Sequence, residues 1–241
     1  MEQRFVNHMR LKYCFGILQK LGKKIVISIR RLSVQYSRTK WLRPIMTIIA
    51  EIGIRPYHSK EHLAWITHLG YSARNVSFPE RPVHTGRHVY LGDGTTIDYN
   101  DATSEIILSD HVAIYGNSFL KAGFNAKIYI GHGTHIQPGC HIQAYLQNIE
   151  IGSFVEIGAN CGLYSYDHGM KRGITVMNQA LESHGQIVIE NGVWLGHGVI
   201  VLSGVRIGHD SVVGAGSVVT KNIPANAIAA GVPAKVISYR S

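Results

Sequence analysis

Fourteen histidines are spread through the 241 residues, so position has to select among them. His168 stands apart because it heads "YSYDHGMKRGITVMNQALESHGQIV", a stretch that interrupts an otherwise regular repeat. An imidazole titrates near neutral pH, so it can take a proton from an attacking hydroxyl and return it to a leaving group. Asp167 beside it is a candidate to orient the ring. Three more histidines, His132, His135 and His141, crowd "IGHGTHIQPGCHI", and three imidazoles with an open position would suit zinc. His132, His197 and His209 share one repeat position that is expected to face outward. The reading adopted therefore places no metal here.

The repeat must position these residues. An aliphatic residue, often followed by Gly, recurs every six positions at Ile189, Leu195, Val201, Ile207, Val213 and Val219. It appears upstream at Ile151, Ile157 and Leu163, at Ile130, Ile136 and Ile142, and at Leu108, Ile114 and Leu120, with Leu91 and Ile97 opening the series. The fifth residue of each hexad is small or β-branched, as at Thr134, Cys140, Val155, Cys161, Val193 and Ser211. Six is neither the helical period nor the strand alternation. It predicts a solenoid in which the aliphatic residue points inward and small residues let the chain turn. Hexads grouped in threes give a triangular prism of roughly six coils. Cys140 and Cys161 then serve as compact inward hydrophobes.

On these residues the sequence resembles the hexapeptide-repeat acyltransferases, whose fold is an all-β left-handed parallel β-helix. "IGSFVEIGANCGLYSYDH" and "GVWLGHGVIVLSGVRIGHDSVVGAGSVVTKNIPANAIAAGVPAKVI" resemble the galactoside and maltose O-acetyltransferases and the bacterial surface-polysaccharide O-acetyltransferases. The likeness is close over residues 128–237 and rests on the repeats alone over 85–127. It implies an acetyl-CoA-dependent O-acetyltransferase that needs no metal, with His168 as general base and a homotrimer sharing its active site between neighbours. Carried over by position, Trp194, His197, Ala215, Thr220, Lys221 and Lys235 line the acetyl-CoA groove. Lys235 stands where the family often has Arg, so it meets a phosphate as a point charge without the bidentate fork. On the acceptor side fall Gln137, Tyr145 and Asp167. Gln137 and Tyr145 replace an Asn and an Asp, which favours a sugar unit of a larger glycan over a simple galactoside or maltose.

Three other readings use the same repeat. A zinc carbonic-anhydrase-like solenoid would need two ligands five residues apart, and Gln137 occupies that place. A non-catalytic structural solenoid would leave the long break unexplained. A serine O-acetyltransferase would carry a short loop and an acidic helical N-terminal domain.

Composition limits the partners. With 45% hydrophobic and 16% charged residues the chain is globular. Three cysteines, at 14, 140 and 161, cannot all pair within the chain, which favours a reducing compartment. The formal charge of +9 is unevenly placed: residues 1–50 hold eleven Lys and Arg against Glu2 alone, and the remainder hold 13 bases and 14 acids. No motif accompanies that charge to suggest nucleic acid.

Residues 14–34 read as a basic amphipathic helix, with Cys14, Leu18, Leu21, Ile25, Ile29 and Leu32 on one arc and Ile17, Ile27 and Val34 off it. Such a helix can lie on an anionic membrane or pack against the fold. No apolar run approaches the roughly 18 residues that span a bilayer, so the expected location is the cytoplasm, peripheral on the inner face of the membrane. The expected organisation is a basic, partly helical segment at 1–84, the β-helix at 85–237 with its loop at about 164–187, and a tail at 238–241. A further helical stretch, Lys60 to Leu69, is expected to cap the first coil.

Overall fold

The computed structural model describes residues 24–36, 42–52 and 60–241. Its body is a parallel β-solenoid with three sheets, one per side of a triangular prism. In each coil the chain visits sheet A, then sheet B, then sheet C. The fourth coil, for example, runs His135–Ile136, His141–Tyr145 and Ile149–Ile151. Strands pair in register with those one coil away, so Ile114, Ile136, Ile157, Leu195 and Val213 stack along sheet A. All five are fully buried. The small fifth residues fill the corners: Cys140 and Cys161 are buried, and Thr134 Oγ1 donates to the Gly152 carbonyl at 2.7 Å. Burying that hydroxyl is tolerable because its hydrogen bond is made.

The prism has about seven coils rather than six, and the coil register begins at Tyr71 instead of residue 85. Ser72 pairs with Leu91 and takes the inward place of the missing aliphatic residue, which hides this coil from the six-residue pattern. At the other end Ala227–Gly231 and Ala234–Tyr239 form an antiparallel hairpin. The expected tail at 238–241 is largely absorbed by it: the strand runs through Tyr239, the Arg240 N–H donates to the Asn226 carbonyl at 2.8 Å, and its guanidinium donates to the Asp210 carbonyl at 2.7 Å.

Among the described residues, two α-helices precede the prism. Residues 24–36 form helix α1, and Arg43–Glu51 form α2 with Pro44 in its first turn, where a missing N–H leaves no helical bond unmade. The helical reading of 14–34 is met from residue 24 onward; Cys14, Ile17, Leu18 and Leu21 lie outside the described residues. Of the two uses open to its apolar arc, packing against the fold is not the one seen. Val34, off that arc, is fully buried together with Ser33, while Ile25, Ile29 and Leu32 are exposed. The Arg30 guanidinium joins the helices by donating to the Ile52 carbonyl at 2.6 Å.

Helix α2 is fixed to the first coil through Arg43 on the Val76 carbonyl at 3.0 Å and through Tyr71 on Glu51 at 2.5 Å. The cap expected at Lys60 to Leu69 is a 3-10 helix over Lys60–Trp65, with Leu63 and Ala64 buried. Lys60 bridges Glu51 and Asp93, each at 3.0 Å.

Candidate active site

The regular path leaves sheet B after Gly162–Tyr164 and rejoins sheet C at Ile187–Ile189. Between them the chain projects from the edge joining sheets B and C. Asp167–His168 pairs antiparallel with Leu181–Glu182, so the imidazole is carried on a short hairpin and is exposed. The hairpin is held at both ends. At its foot, Ser183 Oγ donates to the Ser165 carbonyl at 2.6 Å, and the buried Ser165 hydroxyl accepts from the Tyr145 N–H at 3.0 Å. At its tip, Gln179 accepts from the Lys171 N–H at 2.7 Å and donates to the Ile174 carbonyl at 2.9 Å.

Asp167 has a different partner from the one expected. Its carboxylate accepts from Ser203 Oγ at 2.8 Å, tying the hairpin to the next coil, and adjacent strand residues face opposite ways. Asp167 therefore braces the hairpin, which fixes where His168 stands.

The acceptor candidates separate. Tyr145 ends the sheet B strand at the same edge as His168, with its ring 5.0 Å from that of Tyr166. Gln137 follows the sheet A strand at the far edge of sheet B, so within one chain the two do not share a pocket. Beside Tyr145 stand residues that sequence reasoning did not single out. Tyr166 donates to Gln143 at 3.2 Å, and Lys121 pairs with Asp98 at 3.1 Å. Donating a hydrogen bond to the Asp98 carboxylate raises the Lys121 pKa, so its charge is held firmly, and burial raises that of the Tyr166 phenol. In-register stacking of Asp98, Lys121, Gln143 and Tyr164 makes this polar ladder readable once the coils are aligned.

The cofactor candidates divide between two edges. Trp194 lies on sheet A, 55% exposed, and His197 and Ala215 follow at the edge joining sheets A and B. Lys235 belongs to the same side, since it pairs with Ala230 in the terminal hairpin. Successive turns approach closely here. A Cβ on Gly158 would lie 2.7 Å from the His197 nitrogen, and one on Gly196 would lie 2.6 Å from the Ala215 nitrogen. Glycine thus keeps this edge flat. Thr220 and Lys221 instead follow the sheet B strand Val218–Val219, on the His168 edge. Within one chain the two groups stand apart by a sheet B strand, about 15 Å at 3.3 Å per residue.

The histidines of "IGHGTHIQPGCHI" also disperse. His132 sits at the corner between sheets C and A, against His111 and Phe154. His135 lies on sheet A, 3.0 Å from Glu156, and His141 lies on sheet B beside Phe119.

A parallel solenoid of six-residue repeats defines a class, the hexapeptide transferases. A model of the bacterial transferase hexapeptide (six repeats) matches residues 186–221. The galactoside O-acetyltransferase of Lactococcus lactis is 33% identical over 147 residues, which cover 59% of this chain and 70% of that protein. The galactoside O-acetyltransferase of Escherichia coli is 36% identical over 135 residues, covering 49% and 63%. Among solved structures, the polysialic acid O-acetyltransferase OatWY shares the fold at a TM-score of 0.53 and 23% identity, over 68% of this chain and 84% of that one. This chain belongs to the hexapeptide-repeat acetyltransferases, the family that includes the galactoside O-acetyltransferases.

Proposed function

We propose that this enzyme transfers the acetyl group of acetyl-CoA to a sugar hydroxyl, in the assembly of a surface polysaccharide or oligosaccharide in the cytoplasm. His168 takes the proton of the acceptor hydroxyl as its oxygen attacks the thioester carbonyl. The C–S bond then breaks, and the imidazolium returns its proton to the departing thiolate. Backbone N–H groups near His197 stabilise the oxyanion. The observation that carries this reading is an exposed imidazole braced at the foot of the one long excursion, in a chain of this family.

The division of candidates between two edges supports a site shared by copies in a homotrimer. His168, Thr220 and Lys221 of one copy would face Trp194, His197, Ala215 and Lys235 of the next. The pantetheine arm suits the flat glycine edge, and the lysines suit the phosphates. Tyr145 and Tyr166 offer aromatic surface to a sugar ring, with Gln143 and Lys121 as polar contacts. No metal takes part in this scheme.

The test is thiol release from acetyl-CoA across monosaccharides, oligosaccharides and simple amines. Release stimulated by sugar-bearing acceptors, and most by oligosaccharides, is expected. Stimulation by amines alone would overturn the assignment.

A further inference from the structure

The two helices ahead of the prism each turn an apolar stripe outward. On α1, Ile25, Ile29 and Leu32 follow the i, i+4, i+7 spacing of one helical face; on α2 and its C-cap, Ile45, Ile48 and Ile52 follow i, i+3, i+7. These six side chains are 47–64% exposed. The opposite faces are the ones used for packing: Ser33 and Val34 of α1, and Thr47 and Ala50 of α2, are buried. Isolated exposed aliphatic residues are ordinary, but an exposed apolar stripe on each of two adjoining helices is not.

Charge identifies the occupant. Lys24 and Arg31 are exposed on α1, about a quarter turn to one side of its stripe. They belong to the segment in which eleven bases face a single acid, whereas the rest of the chain carries 13 bases and 14 acids. A second copy of this chain would bring the same positive charge against itself. An anionic bilayer offers hydrocarbon to the isoleucines and negative headgroups to the cations. The mount is firm: Arg30 ties α1 to the end of α2, and Arg43 and Glu51 tie α2 to the first coil. No helix among the described residues is long and apolar enough to cross a membrane.

We propose that α1 and α2 together form a docking face that seats the enzyme on an anionic membrane surface, in the interfacial plane and without spanning it. Such seating would bring the His168 hairpin to acceptors carried on lipid. The inference does not depend on the acetyl-transfer reading, because vesicle binding needs no acceptor or donor.

The experiment is co-sedimentation of the full chain with phosphatidylcholine vesicles, with and without about a third phosphatidylglycerol. Binding to the anionic vesicles alone is expected, weakened by high salt. Replacing Ile45, Ile48 and Ile52 together by Asn should weaken it at least tenfold without lowering the melting temperature. The double reversal Lys24→Glu, Arg31→Glu, on exposed positions, should reduce the preference for anionic vesicles and serves if the triple variant does not fold. Equal binding to both vesicle types, or to neither, would overturn the proposal. So would a triple variant that keeps wild-type vesicle binding, or a lower mass by light scattering in a triple variant whose parent ignores vesicles, since the stripe would then be covered by a second copy.

Discussion

The regular coils and the excursion at 164–187 start from the same sheet edge and solve opposite problems. A coil buries its inward aliphatic residues completely and closes its buried hydroxyls at its own corners, as Ser211 and Ser217 do by donating to the carbonyls three residues earlier, Gly208 and Gly214, at 2.5 and 2.6 Å. The excursion contributes nothing from 169 to 186 to the buried core except Gly169, and it leaves Met170, Met177 and His168 exposed. Its order comes from a few hydrogen bonds at foot and tip. Stability is thus distributed along the repeat, and the proposed chemistry lies where the repeat stops.

Substitutions can break that contrast from either side. The largest effect on stability belongs to the coils. Ile157→Ala removes a fully buried side chain from the sheet A stack and should lower unfolding free energy by about 2–5 kcal/mol in a denaturant titration. Acetyl transfer per folded molecule should stay near wild type. At the junction, Ser165→Ala deletes a buried acceptor for the Tyr145 N–H; a loss of about 1–3 kcal/mol is expected, with a fall in turnover because the hairpin foot loosens.

Within the excursion, Gln179→Ala releases the tip. Turnover should drop several-fold while the melting temperature stays put, and a large drop in melting temperature would show that the excursion supports the prism.

The smallest effect is set by pH. Hydrogen bonding to Glu156 raises the His135 pKa, with partial burial opposing it. The pair's contribution is therefore fully present below the unfolded value near 6.5 and is lost as pH rises through the folded value. Between pH 6 and 9, Glu156→Gln should show a smaller decline in melting temperature than wild type. Both groups are partly exposed, so solvent screens the effect.

Much of this contrast was legible in the sequence. The inward residues from Leu91 to Val219 could be read off because a solenoid has a one-dimensional pattern and each coil repeats its neighbour's requirements. The first coil was hidden because Ser72 stands at an inward place and the outward Tyr71 is buried by the helices. The pattern of α1 left open whether its apolar arc packs or stays outside; the structure packs Val34, off that arc, and leaves Ile25 and Ile29 exposed.

At the site, the break itself marked His168. The braces did not show, because bonds such as Ser203 to Asp167 depend on how the hairpin folds back. One signal was available: Ser165 and Ser203 both stand two residues after an inward aliphatic residue, Leu163 and Val201, in the coils flanking the break.

The central claim is that the excursion's imidazole performs the proton transfer. It is tested most directly by thiol release from acetyl-CoA, in the presence of the best acceptor, for wild type and His168→Ala at matched melting temperature. The account predicts turnover lower by about 10²–10⁴-fold with the fold intact. Turnover within a few-fold of wild type would contradict it and move the chemistry elsewhere on the prism.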